Sequence, residues 1–82
     1  MKLNEERERE HLAQSDREIT DLKARIARQR EVIQGLALRA RPREHARELL
    51  KTMQHKLKLF EQRRDLMLRL AEHAERRASK QK

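Results

Sequence analysis

The chain has no cysteine, tryptophan or tyrosine, and only one glycine, one proline and one phenylalanine among 82 residues. The absence of cysteine excludes a disulfide framework, a thiolate metal site and a thiol nucleophile. A single glycine, Gly35, cannot form a glycine-rich phosphate loop. The one aromatic residue, Phe60, is remote in sequence from the chain's only proline, Pro42, so no base-stacking platform is expected near a turn there.

Long apolar runs are also missing. No stretch approaches the roughly 20 apolar residues of a membrane span, and the first residues, MKLNEERERE, lack the apolar region of a signal peptide. The apolar stripes are narrow and lack the aromatic anchors of interfacial helices. We therefore expect a cytoplasmic chain that has no membrane partner.

The histidines and carboxylates show no catalytic or metal-binding pattern. None of the histidine pairs has the i, i+4 spacing of a helical zinc site, and no HExxH motif is present. The acidic residues lie on helix faces expected to be exposed, whereas a general acid or base needs a sheltered pocket. We expect no enzyme, no catalytic residue, no metal, no cofactor and no small-molecule substrate.

Helix-forming residues dominate what is present. Ala, Glu, Lys, Leu and Arg number 9, 11, 7, 12 and 15, or 54 of 82 residues, which is more than the roughly half that is typical of long helices and coiled coils. Aliphatic residues recur every seven positions at Leu12, Ile19, Ile26 and Ile33. The full repeat, in alternate steps of three and four, predicts a coiled-coil seam. Its members are Leu12, Ser15, Ile19, Leu22, Ile26, Gln29, Ile33 and Leu36.

Pro42 divides the chain into two helices. Proline is excluded from a helix interior but suits the first helical position. We predict one domain over residues 1–82, with helix one at about 4–38, a turn at about 39–41, helix two at about 42–78 and a basic tail at 79–82. A short connection favours antiparallel neighbours, so the predicted fold is an all-α antiparallel helical hairpin resembling a coiled coil.

Helix two repeats the seam with softer residues. Its members are Ala46, Leu50, Met53, Leu57, Phe60, Arg64, Met67, Ala71 and Ala74. Folding back near residue 41 sets Leu22 beside Phe60 and Leu12 beside Ala71. The polar seam residues Ser15, Gln29 and Arg64 are interpreted as a solvated layer in which Arg64 extends outward, with register fixing as the alternative.

A further set of leucines, Leu59, Leu66 and Leu70, is predicted to lie nearly opposite the seam of helix two. One hairpin cannot bury both faces, but two hairpins packed into a four-helix bundle can. We therefore predict a homodimer that uses these three leucines. A tetramer and an extended intermolecular coiled coil remain alternatives.

Positive charge is concentrated toward the turn. Residues 1–38 hold eight basic and eight acidic side chains, so the net charge of +8 comes from residues 39–82, which hold fourteen and six. The candidate contacts to phosphates or to an acidic partner are Arg28, Arg30, Arg39, Arg41, Arg43, Arg47 and Lys51. Arginine is well suited to phosphate binding, although a charged face is also an ordinary way to solubilise a helical bundle.

Several segments of the chain resemble a group of small proteobacterial two-helix proteins of unknown function. The segments are HLAQSDREI at 11–19, RIARQREVI at 25–33, ARELL at 46–50 and RRDLMLRLAE at 63–72. The resemblance implies two charged helices joined by a short turn, and it implies no activity or site. The turn segment RARPRE at 39–44 departs from the acidic, glycine-containing turns of that group.

From the sequence we expect a non-enzymatic helical-hairpin interaction or adapter protein that self-associates through its apolar seam. The alternative is a nucleic-acid-binding accessory protein that uses the basic turn. A third class, a disordered basic chain that folds only on a partner, would show low helicity in isolation.

Overall fold

The fold is a hairpin of two long helices. The computed structural model describes residues 2–80, with side-chain surroundings for residues 5–79. Helix α1 spans Lys2–Leu38 and helix α2 spans Glu44–Lys80, each with 37 residues. The two helices pack along one another in a body of 67 × 16 × 13 Å. The predicted all-α antiparallel hairpin is confirmed.

The end of α1 is closed by a Schellman motif. The amide of Arg41 donates to the carbonyl of Leu36 over 2.9 Å, and the amide of Ala40 donates to the carbonyl of Ala37 over 3.1 Å. Ala40 takes the left-handed conformation this motif requires, with φ of 52°. Glycine is the usual residue there, so the turn holds an alanine in a conformation that disfavours its Cβ atom.

The start of α2 differs from the prediction. The helix begins at Glu44 rather than at Pro42, and residues 41–43 belong to the connection. The amide of Arg47 donates to the carbonyl of Arg43 over 2.9 Å, which makes Arg43 the N-cap residue. Proline disfavours the helical conformation for the residue before it, which agrees with the position of Arg41 outside both helices.

The outer bounds differ slightly as well. Helix α1 begins at Lys2, before the predicted start at about residue 4. Helix α2 continues through residues 79 and 80, which were predicted as the beginning of a basic tail. Residues 81 and 82 of that tail lie outside the described residues.

The predicted seam is the interface between the helices. Ile19, Leu22 and Ile26 are buried, at 8%, 5% and 5% exposure. The other five predicted seam residues of α1 are half-buried, and so are those of α2 except Ala74, which is exposed. No described side chain is completely buried. The hairpin therefore has a narrow line of contact instead of a closed core.

Two polar seam residues connect the helices. Gln29 Nε2 donates to the carbonyl of Ala46 over 2.9 Å. Arg64 Nε donates to Asp16 Oδ1 in an ion pair on the edge of the seam. The interpretation of Gln29 as merely solvated is therefore wrong, because its amide reaches the facing helix. Arg64 does extend outward, as expected, and it finds a carboxylate there.

Candidate interaction surfaces

The two long sides of the hairpin, beside the seam, carry different residues. On one side, shallow grooves are lined by His11, Glu18 and Arg25 of α1 and by Phe60, Arg63 and Leu70 of α2. We call this surface the groove side, because shallow grooves run along it between the helices.

The opposite surface, the polar side, is lined mainly by charged residues. Its groove residues are Asp16, Ile19, Thr20, Lys23, Glu61, Arg64 and Asp65. The Asp16–Arg64 ion pair lies here and joins α1 to α2. Asp16 is 54% exposed and Arg64 is 35% exposed at the side chain, so solvent screens the pair.

The leucines predicted for self-association are exposed. Leu59, Leu66 and Leu70 have 50%, 56% and 61% of their surface open to solvent. Leu70 lines a groove with Leu12 and Ala71. Leu59 and Leu66 line no groove, but they lie four residues before and three residues after the groove residue Arg63, so the set extends the groove side outward along α2. Its predicted position nearly opposite the seam stays a prediction. Helical geometry at 100° per residue separates the two stripes by roughly 120°.

Two further apolar residues continue the same surface and were missed by the sequence reasoning. Val32 is 50% exposed and Leu49 is 43% exposed. Val32 lies seven residues after Arg25, and Leu49 lies seven residues before Lys56; Arg25 and Lys56 line one groove. Because a seven-residue step returns to the same helix face, both belong to the groove side. That spacing was readable in the sequence.

The groove side thus holds five of the six large apolar side chains that the described residues expose. The sixth is Leu38, at the end of α1, which is 88% exposed. The predicted seam itself is occupied within the chain, since α1 and α2 cover each other along it. Any partner that binds apolar surface therefore meets the groove side.

The basic residues predicted for phosphate or acidic-partner contacts surround the turn. Arg28, Arg30, Arg39, Arg41, Arg47 and Lys51 are exposed, and Arg43 is half-buried. Asp16–Arg64 is the one ion pair among residues 5–79, so none of these seven side chains forms an ion pair with a described carboxylate. The structure brings them to one end of the hairpin, but it does not arrange them around a pocket.

Phe60 lies away from that end. It borders two grooves of the groove side, and the Nζ atom of Lys56 lies 5.5 Å from the centre of its ring. This cation–π contact lies next to the exposed Leu59 and is typically worth about 0.5–1 kcal/mol at an exposed site. Phe60 is therefore part of the groove side and does not serve the basic turn.

The described residues contain neither a metal-binding cluster nor a membrane-spanning helix. No group of three or more histidine, aspartate or glutamate side chains is arranged to hold a metal ion within that part of the chain. Neither helix, over the residues described, is apolar enough along its length to cross a membrane.

Comparison with known proteins places the chain in no group. No family model matches it, and neither a curated protein nor a solved structure is significantly similar. The resemblance to small proteobacterial two-helix proteins therefore stays a prediction.

Proposed function

We propose that this hairpin is a non-enzymatic interaction protein of the cytoplasm that works as a homodimer formed through the groove side. The observation that carries the proposal is the imbalance between buried and exposed apolar residues. Three apolar side chains are buried, whereas five large ones on the groove side are exposed.

The energy of folding supports association. A single core in a chain of about 80 residues seldom stabilises a fold by more than about 3–5 kcal/mol, and no side chain among residues 5–79 is completely buried. Fully burying one leucine contributes about 1.5–3 kcal/mol, so covering side chains that are now about half exposed contributes roughly 1 kcal/mol each. A second hairpin on the groove side therefore adds stabilisation comparable to that of the monomer itself.

The exposed surface also exceeds what a monomer normally needs. Isolated exposed leucines are common, but aligned rows of apolar residues on one side of a molecule mark interaction sites. The rows are flanked by charged residues such as Glu18, Arg25 and Arg63, which gives the surface an apolar centre and a polar rim. This composition suits a protein partner.

The test is the mass of the protein in solution. Light scattering with size-exclusion chromatography over about 1–100 µM, the range expected for an interface of this kind, should give the mass of a dimer for the unchanged chain. The triple variant Leu59→Gln, Leu66→Gln and Leu70→Gln should elute as a monomer. Leu38→Gln changes the leucine that, among residues 5–79, is exposed away from the groove side, and this variant should remain a dimer.

Circular dichroism on the same samples separates the outcomes. Strong helicity in the unchanged chain removes the disordered class, in which the chain folds only on a partner. If the unchanged chain is helical and monomeric at about 100 µM, the proposal is contradicted. Loss of the dimer in both the triple variant and Leu38→Gln would also count against it, because the effect would not be specific to the groove side.

The basic turn supports a second candidate, a nucleic-acid-binding accessory protein. The specific observation is the cluster of seven basic side chains at one end without an ion pair among the described residues. Such a surface binds phosphates without base selection, and each phosphate neutralised on duplex DNA adds about 0.9 to the slope of log affinity against log salt. An acidic protein partner would use the same charges.

Fluorescence anisotropy of labelled duplex DNA and structured RNA tests this candidate. The variant Arg39→Glu, Arg41→Glu and Arg43→Glu should lose binding and salt dependence. A matched control reverses three exposed arginines at the other end of the hairpin, Arg69, Arg76 and Arg77, and changes net charge equally. Equal binding by both variants removes the turn as a nucleic-acid site.

A further inference from the structure

The charges on the groove side change sign along α1. Glu8, Glu18 and Asp21 line grooves in the half of the helix that is remote from the turn. Arg25 and Arg28 line grooves in the half nearer the turn. Arg39 continues the basic half at the turn, and Glu31 is the one acidic residue within it. Along α1 the surface therefore has an acidic stretch followed by a basic stretch, while the charged α2 residues of the same grooves, Lys56 and Arg63, are both basic.

We infer that the partner on the groove side is a second copy that lies antiparallel, with its turn at the opposite end. The inference rests on the proposed dimer and specifies its geometry. In this arrangement α1 of one copy faces α1 of the other. The acidic stretch of each copy then lies opposite the basic stretch of the other. A two-fold axis near Lys23 sets Glu18 opposite Arg28 of the second copy and Asp21 opposite Arg25.

The same axis also matches apolar residues on α2. Leu22 and Arg25 line a groove with Lys56 and Phe60, so the centre of α1 is level with the segment between those two α2 residues. Leu49 and Leu66 lie on either side of that segment. The antiparallel arrangement therefore places Leu66 of one copy near Leu49 of the other, with Leu59 close to the axis.

The distribution of charge along the hairpin disfavours the parallel arrangement. Residues 23–58, which form the turn half, hold eleven basic and three acidic side chains, a net charge of +8. The other half is neutral, because residues 1–22 carry −3 and residues 59–82 carry +3. Parallel copies bring the two +8 halves together within about one Debye length, whereas antiparallel copies set each against a neutral half.

The available area is sufficient. A surface 67 Å long and 16 Å wide offers roughly 1,000 Å² to a second copy, and a standard interface buries about 800 Å² on each partner. Overlap along about three quarters of the long dimension is needed to reach 800 Å². An end-to-end contact between the turns would bury much less, so overlap along most of the groove side is favoured.

Distances between spin labels test the orientation. The chain has no cysteine, so one introduced cysteine accepts one nitroxide label. Arg41→Cys labels the turn, and Ala24→Cys labels the middle of α1 at an exposed position. In the antiparallel dimer the label-to-label distance should approach the 67 Å length for the turn and be less than half of that for the middle.

The alternative results are distinguishable. A short distance at both positions gives a parallel dimer, which overturns the inference and leaves the proposed dimer standing. Long distances at both positions overturn the axis near Lys23. Monomers in light scattering overturn both proposals, and the unlabelled chain serves as the control for an effect of the label.

Charge exchange provides a second test. Asp21→Arg should weaken dimerisation about tenfold, because it places an arginine opposite Arg25 of the second copy at each of the two symmetric contacts. Adding Arg25→Asp should restore most of the affinity. Asp65→Arg, on the polar side, makes the same charge change and should leave dimerisation within about twofold. Equal weakening by Asp21→Arg and Asp65→Arg overturns the proposed contact.

Discussion

The two helices have equal length but bury their apolar residues differently. The three side chains that are buried in the described part of the chain, Ile19, Leu22 and Ile26, all belong to α1. Helix α2 contains seven of the chain's twelve leucines, yet none of its described residues is buried. The aliphatic residues of α1 are concentrated in one stripe, whereas the leucines of α2 are divided between the seam and the groove side. Placement of apolar residues therefore decides burial, and the number of leucines does not.

The largest expected effect comes from placing a charged residue on each helix and comparing the loss of stability. Ile26→Asp puts a carboxylate at a position that is 5% exposed, and we expect a loss of about 3 kcal/mol or more, which unfolds the hairpin. Leu66→Asp changes a residue that is 56% exposed and should cost the monomer less than about 1 kcal/mol. Helicity by circular dichroism at low micromolar concentration measures both.

The same two variants should also differ in their effect on dimerisation. Leu66→Asp should retain helicity and lose the dimer mass, whereas Ile26→Asp should lose both. If Leu66→Asp unfolds the chain as completely as Ile26→Asp, the hairpin has no stable monomer, and α2 depends on the groove side as much as α1 depends on the seam.

Gln29 tests whether the polar residue of the α1 stripe fixes the alignment of the helices. Gln29→Leu removes the bond to the Ala46 carbonyl, which is also positioned to accept a bond within α2. We expect unfolding free energy to rise by about 1 kcal/mol, because the change adds apolar contact and leaves no buried group unpaired. We also expect a looser register, since polar seam residues specify alignment at a cost in stability.

Chemical denaturation measures the stability, and disulfide trapping measures the register. Leu22→Cys with Phe60→Cys should cross-link readily in the native register, because both residues line one groove. Cysteine pairs displaced by one heptad should cross-link only in the Gln29→Leu background. A fall in stability after Gln29→Leu would instead show that the hydrogen bond outweighs the apolar gain.

The seam was predictable because it depends on a repeat that the sequence displays directly. Every seam position assigned to α1 is buried or half-buried, and Ala74 is the one exception on α2. The polar contacts were less predictable. A long, flexible side chain such as Gln29 has several rotamers, and whether it reaches a carbonyl depends on the distance and rotation between the helices, which the repeat does not determine.

The groove side shows the same limit. The sequence indicated a second apolar stripe on α2 but not where it lies relative to α1. Val32 and Leu49 lie on different helices, and only the packing of α1 against α2 brings them to the same side of the hairpin. The turn was predicted near its position because Pro42 is distinctive, but the left-handed Ala40 left no signal, since glycine is the residue that usually announces a Schellman motif.

Ala40→Gly tests the left-handed conformation of Ala40, where α1 ends and the chain turns toward α2. Glycine adopts φ of 52° without the steric cost of a Cβ atom, so the change should raise the unfolding free energy by about 0.5–1 kcal/mol. Thermal denaturation measures it, with Ala37→Gly as the control. Ala37 lies in regular helix, so glycine there should destabilise by about 0.5–1 kcal/mol. Two changes of the same sign would contradict the left-handed conformation of Ala40.

The smallest expected effect concerns the ion pair that joins the helices on the polar side. Asp16 and Arg64 are both substantially exposed, and exposed pairs typically contribute about 0.2–1 kcal/mol. A double-mutant cycle with Asp16→Asn and Arg64→Gln should give a coupling energy in that range at low salt, decreasing toward zero at about 1 M salt because the charges are screened. A coupling well above 1 kcal/mol that persists in high salt would show that the pair is shielded from solvent. In that case the polar side, and not the groove side, would be covered in the assembled protein, and the difference between the two sides would have to be reinterpreted.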